Sequence, residues 1–201
     1  METPDADHPV RRGIVYDLYY EHCSLHSAEA LHRAMEGAGL SDVAIDRVFG
    51  DEYLLAFGST RGPAVAGRPL ANVASASDVE AFAEACASFA PRWRERLLRA
   101  RARGKVAVWG GAGKGVTFVR LVDPGGELVE AVVDIHPAKE GKLVPGTAHP
   151  IVGPARARAL GVRTVVVMND NYTGEIAARC RAEGWDVDVW RASAPPEIPR
   201  L

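Results

Sequence analysis

Lys105–Gly115 reads KVAVWGGAGKG, a short apolar run that passes without a break into a loop dominated by glycine. When the next residues, VTFVRLV (116–122), resume apolar character at helical spacing, the pattern is that of a strand, a tight glycine turn and a helix packed close to its sheet. Working outward, EAVVD (130–134), TVVVM (164–168) and DVDVW (186–190) are further short, β-branched runs, and NDNY (169–172) leads into the helical TGEIAARCRAEG (173–184). Short apolar strands alternating with helices predict a parallel sheet covered on both faces. The expected fold is therefore α/β, a Rossmann-like parallel sheet. The loop comes close to the dinucleotide fingerprint but lacks its final glycine spacing, while Asp134 ends the second strand about 20 residues on, where a ribose-binding acid would stand. Two readings remain open at this point. The glycines serve only close packing, or Gly111, Gly113 and Lys114 face a phosphate or sulfate at the helix N-terminus.

Upstream of the loop the pattern changes. DVEAFAEACASFAPRWRERLLRARAR (78–103) is a long amphipathic helix, expected to be interrupted or restarted at Pro91. Before it, TRGPAVAGRPLANVASA (60–76) is rich in Gly, Pro and small residues and marks a linker. DVAIDRVFGDEYLLAFGS (42–59) alternates about Gly50-Asp51 as a hairpin. SAEALHRAMEGAGL (27–40) is a short helix with Ser27 as N-cap and Gly37 and Gly39 as stop signals. The expected division is a disordered 1–13, a segment 14–60, a linker 61–76, and a helix plus Rossmann-like domain over 77–201.

The bulk properties narrow the functional classes. The chain has 201 residues, 47% hydrophobic and 25% charged, with a formal net charge of -2, so no nucleic-acid partner is expected. The basic RWRERLLRARARGK (92–105) reads as a solvated helix face. Three dispersed cysteines, Cys23, Cys86 and Cys180, form no C-x-x-C pair, which predicts neither disulfides nor a metal site and fits a cytoplasmic setting. METPDADHPVRRG (1–13) has no apolar core of a leader, and no run reaches membrane-spanning length.

One cluster stands apart. YYEHCS (19–24) places phenols, a carboxylate and an imidazole side by side. It is either a solvated edge or an acid–base constellation in which Glu21 tunes His22.

Several ordered motifs then carry a resemblance. YYEHCSLHSAEALHRAMEGAGL (19–40) with VFGDEYLLAFGS (48–59) resembles the last third of the catalytic domain in the sugar C-methyltransferases. WGGAGKGVTF (109–118), VVDIHPAKEGKLVPGTAHPI (132–151) and VVVMNDNYTGEI (165–176) are similar to that family's C-terminal domain. The likeness runs from about Val15 to Trp190. It implies that the first part is a remnant of a class I methyltransferase domain, a helix plus a β-hairpin. It also implies His22 as general base, Glu21 as the group that orients it, and Tyr19 as a substrate contact. Lys114, Asp134, His136, Asn169, Asn171 and Tyr172 fall in the loops that match the family's motifs, and Lys139 and Lys142 are reserve candidates for an anion. His26 and His136 depart from the family pattern, which points to an altered substrate.

The zinc-binding portion and the S-adenosylmethionine half-sheet of those enzymes have no counterpart in this stretch, so no cofactor is expected. The expected function is a non-methylating enzyme subunit that uses His22, Glu21 and Tyr19 for elimination or intramolecular displacement, for example aziridine closure with loss of sulfate. The alternatives are a split methyltransferase subunit and a non-catalytic carrier- or partner-docking subunit. The expected ligand is a small or carrier-bound molecule bearing phosphate or sulfate. Because a lone hairpin and helix bury little surface, a second polypeptide or the C-terminal domain is expected to cover them.

Overall fold

In the computed structural model, which describes residues 1–60 and 73–194, the chain divides into two units. One comprises Met1–Val15 and Tyr20–Ala85, the other Tyr16–Tyr19 and Cys86–Leu201. Most of the expected linker lies outside the described residues.

The first unit is built on an antiparallel sheet. Its elements are β1 (Glu2–Pro4), α1 (Asp7–Arg12), α2 (Ala28–Gly37), β2 (Ser41–Val48) and β3 (Tyr53–Ser59), with strand order β1-β3-β2. Gly50 and Asp51, both at φ 68°, turn β2 back onto β3 as the sequence predicts. The Ser27 hydroxyl accepts from the Ala30 N–H at 3.1 Å and starts α2. The buried stripe Ala28, Leu31 and Met35 then lies on Val43, Leu54 and Ala56, so the hairpin's apolar face is covered by a helix of its own unit.

The N-terminus corrects the sequence reading: residues 1–13 are not disordered but supply β1 and α1. The physical reason is a buried charge cluster that no local pattern reveals. Arg47 on β2 pairs through Nε with Asp5 at 2.6 Å and through Nη2 with Asp7 at 3.3 Å. Asp7 also accepts from the Ala74 N–H. The Met1 ammonium adds a bond to the Ala56 carbonyl at 2.8 Å.

A second correction concerns α3 (Ala76–Arg101), which continues through Pro91 rather than breaking there. Proline removes one helical bond, here that to the Ala87 carbonyl. The stripe Phe89, Trp93, Leu97 and Ala100 is buried on both sides of that gap, and its packing outweighs the lost bond.

The second unit contains β4 (Lys105–Trp109), α4 (Gly113–Val122), β5 (Ala131–Val133), β6 (Ile151–Val152), α5 (Pro154–Ala159), β7 (Val162–Val167), α6 (Thr173–Ala182) and β8 (Asp188–Arg191). The strands form a five-stranded parallel sheet in the order β6-β5-β4-β7-β8. This is the expected Rossmann-like architecture, with β6 as an addition. On one face Ala107, Trp109, Val133, Val165 and Val167 pack with Ile176, Cys180 and Trp185. The alternate set, Val106, Val108 and Val132, is equally buried, which explains why the strands read as continuous apolar runs.

Asp123, just past α4, fixes the turn that leads to β5. Its carboxylate accepts from the N–H groups of Glu127, Leu128 and Val129 at 2.8–2.9 Å and bonds His149 Nε2 at 3.0 Å. A carboxylate only accepts, so Nε2 carries a proton, and Nδ1 shares a hydrogen bond with the Thr147 hydroxyl at 2.8 Å. The His of the PGTAHP segment is thereby a buried structural group.

Arg47→Ala would strand two buried carboxylates, Asp5 and Asp7 being only 1% and 5% exposed. Loss of one partner of a buried pair costs about 3–5 kcal/mol. Chemical denaturation should show the N-terminal unit destabilised on that scale, whereas Arg47→Lys, which keeps the charge but loses the fork, should lose less.

Candidate functional site

In the second unit the strand order reverses between β4 and β7, and an open α/β sheet leaves a crevice at the carboxyl ends of its strands at such a point. A cavity of about 470 Å³ occupies that place. Its floor is formed by Trp109 and Val167, which end β4 and β7, and by Gly110 and Met168, which follow them.

The glycine loop is shaped by close approach. A Cβ at Gly115 would overlap the Gly110 carbonyl oxygen, so α4 can begin this near the strand only with glycine there. A Cβ at Gly113 would lie 2.5–2.9 Å from the ring of Tyr19. Tyr19 therefore lies against the first turn of α4 and forms a wall of the cavity. Its position follows from Tyr16, whose buried ring is 5.9 Å from those of Phe89 and Phe118 in an aromatic cluster that includes Trp93. Between the two tyrosines, Asp17 is buried and its carboxylate stands 3.1 Å from the Lys114 ammonium.

Asp134 closes the other side of the loop. It accepts from the Gly111 N–H at 3.0 Å, the His136 N–H at 2.8 Å and the Lys139 ammonium at 2.8 Å. Burial alone would raise its carboxyl, but the Lys139 contact and the two N–H bonds outweigh it and hold the group below the usual carboxylate range. The same competition, burial against the N–H groups and His149, ends with Asp123 lowered as well.

The far wall comes from the NDNY loop and α6. Asn169 and Tyr172 border the cavity, with Glu175, Ile176 and Arg179 beyond them, and Ile135 at the rim is 64% exposed. Asn169 Oδ1 accepts from the Asn171 N–H at 2.9 Å, which holds the turn that presents Tyr172.

Of the residues that the sequence singles out, Tyr19, Gly113, Lys114, Asp134, Asn169 and Tyr172 line one cavity. Gly111 and Lys139 reach it through Asp134. His136, Lys142 and Asn171 are exposed and stand outside its lining; the His136 Nδ1 accepts from the Ala138 N–H. Glu21 and His22 belong to the first unit, the former exposed and the latter half-buried. Sequence reasoning missed Trp109, Met168, Glu175 and Arg179, although the rule that ligands bind at strand carboxyl ends points to the first two. It also missed Asp17, for which no local signal exists because its partner Lys114 is far along the chain.

Residues 69–186, more than half of the chain, match the family described as the C-methyltransferase C-terminal domain. No curated protein matches the chain. The matched stretch contains every cavity residue except Tyr19. No helix among the described residues is long and apolar enough to cross a membrane.

Asp123 and Asp134 bind protons less readily folded than unfolded, so their stabilisation is complete above the ordinary Asp pKa of about 3.9 and is lost as pH falls through the depressed native values. Thermal melts of the wild type should therefore weaken below about pH 4. Asp123→Asn should be less stable at pH 7 and show a shallower acid loss, since one of the two linked protons is removed.

Proposed function

Since the chain belongs to the C-methyltransferase C-terminal domain family, we propose that it is a non-methylating relative of the sugar C-methyltransferases that performs acid–base chemistry on a small substrate held in the cleft at β4 and β7. The observation that carries this reading is the place of Tyr19, the first residue of YYEHCS, as a wall of that cleft over Gly113. Glu21 and His22 follow it by two and three residues in the chain. By the resemblance, His22 supplies the base and Glu21 orients it.

The methyl donor that the family's name implies, S-adenosylmethionine, does not fit the glycine loop in the nucleoside-binding manner. Asp134, placed as the ribose-binding acid, already accepts three hydrogen bonds of the roughly four that a carboxylate can take. Tyr19 also covers Gly113 at the start of α4.

The chemistry open to such a base is elimination or intramolecular displacement. In its concrete form, the lone pair of a free amine attacks a neighbouring carbon that bears a sulfate ester. The carbon–oxygen bond breaks, sulfate leaves with the bonding pair, and the N–H proton passes to His22 as the three-membered ring closes.

A panel of 2-amino sulfate and phosphate esters, with free anion followed by ion chromatography, tests this on the chain alone and with any polypeptide that co-purifies. The wild type should release anion, and His22→Ala should slow release by roughly 10²–10⁴-fold, the usual contribution of a positioned base. Equal release by both proteins, or none from any ester, overturns the reading.

A further inference from the structure

The charges that line the cleft are, with one exception, already matched within the second unit. Lys114 faces Asp17 at 3.1 Å, Asp134 faces Lys139 at 2.8 Å, and Arg179 bonds Glu183 at 2.9 Å. The loop N–H of Gly111, which could have met a phosphate, is given to Asp134. Glu175, one turn before Arg179 on α6, has no hydrogen bond or ion pair with any described residue, yet it lines the cavity. Among the described residues, the uncompensated charge of the cleft is therefore a single negative one. The walls beside it are aromatic and apolar, from Tyr19, Trp109, Tyr172 and Ile176.

We propose that this cleft selects a ring-bearing ligand that carries a positive charge, with Glu175 as its counter-ion. The proposal rests on the reading that the cleft holds the substrate, whose amine end is the cationic group it assigns to Glu175, and it reverses the sequence-based expectation of an anion at the glycine loop. An anionic group there would have to displace Asp17 from Lys114, where both side chains are largely buried, at 9% and 15% exposure. A cationic group needs no rearrangement, because the Glu175 carboxylate is exposed at the cavity wall. The aromatic walls add to this preference, since the ring faces of Trp and Tyr attract cations.

Benzylamine, benzyl alcohol and benzyl phosphate share one ring and differ in charge at pH 7, and the indole N–H resonance of Trp109, assigned with Trp109→Phe, reports on cleft occupancy. Benzylamine should bind about three- to fivefold more tightly than the alcohol, the scale of a solvent-exposed charge pair. The margin should shrink with added salt and vanish in Glu175→Gln, an exposed position whose replacement leaves the fold intact. Tighter binding of the phosphate, equal binding of amine and alcohol, or an unchanged margin in Glu175→Gln overturns the charge selection while leaving the cleft as a binding site. Failure of all three molecules to shift Trp109 overturns the cleft reading together with this one.

Discussion

The arrangement at the cleft depends on the burial of Tyr16. Its ring, 2% exposed, closes an aromatic cluster with Phe89, Trp93 and Phe118, whose closest pair of rings lies 4.9 Å apart. Rings of this size gain most of their stabilisation from the area they remove from water, and edge-to-face contacts add about 0.5–1.5 kcal/mol each. The neighbours of Tyr16 inherit its position. Asp17 reaches Lys114 and Tyr19 reaches Gly113 only because the intervening chain is pinned by that ring.

The glycine loop illustrates how a motif acquires its meaning from what is packed around it. In nucleotide-binding sites the same strand–glycine–helix unit offers N–H groups and a lysine to a phosphate. Here the chain's own carboxylates stand in those places, Asp134 at Gly111 and Asp17 at Lys114. The interior of a protein penalises an unmatched charge severely, so these pairs make the loop self-sufficient in the absence of any ligand. Recognition then shifts to the aromatic wall and to α6.

The α/β architecture was legible because its signals are local. KVAVW, EAVVD, TVVVM and DVDVW each carry a strand pattern, and Ser27 and Gly50-Asp51 act on their immediate neighbours. What escaped was non-local or too short. β6 is the two residues Ile151–Val152 between Pro150 and Gly153, below the length at which alternation can be read. The order of residues 1–13 comes from Arg47, on a strand that follows much later. Proline at position 91 carries a strong local signal, and it was overridden by the buried stripe of α3. At the site, the loop glycines, Lys114 and Asp134 were visible, and the resemblance added Tyr19. The matching of Lys114 with Asp17 was not, because that pair joins segments that only the fold brings together, whereas Asp134 meets Lys139 only five residues on.

The strand order has a consequence for how the protein is made. β4, the central strand, pairs on one side with β5 soon after it, but its other edge waits for β7, with Lys105 opposite Val162 and Trp109 opposite Val167. As the chain emerges from the ribosome, the first half of the sheet has an open edge of unpaired backbone groups, on a strand apolar but for Lys105, until the Val162–Val167 segment has been synthesised. Parallel pairings between distant segments form slowly, and exposed strand edges are where aggregation begins. Production of this protein should therefore be sensitive to translation speed and to chaperone supply, most of all when synthesis pauses between His149 and Gly161.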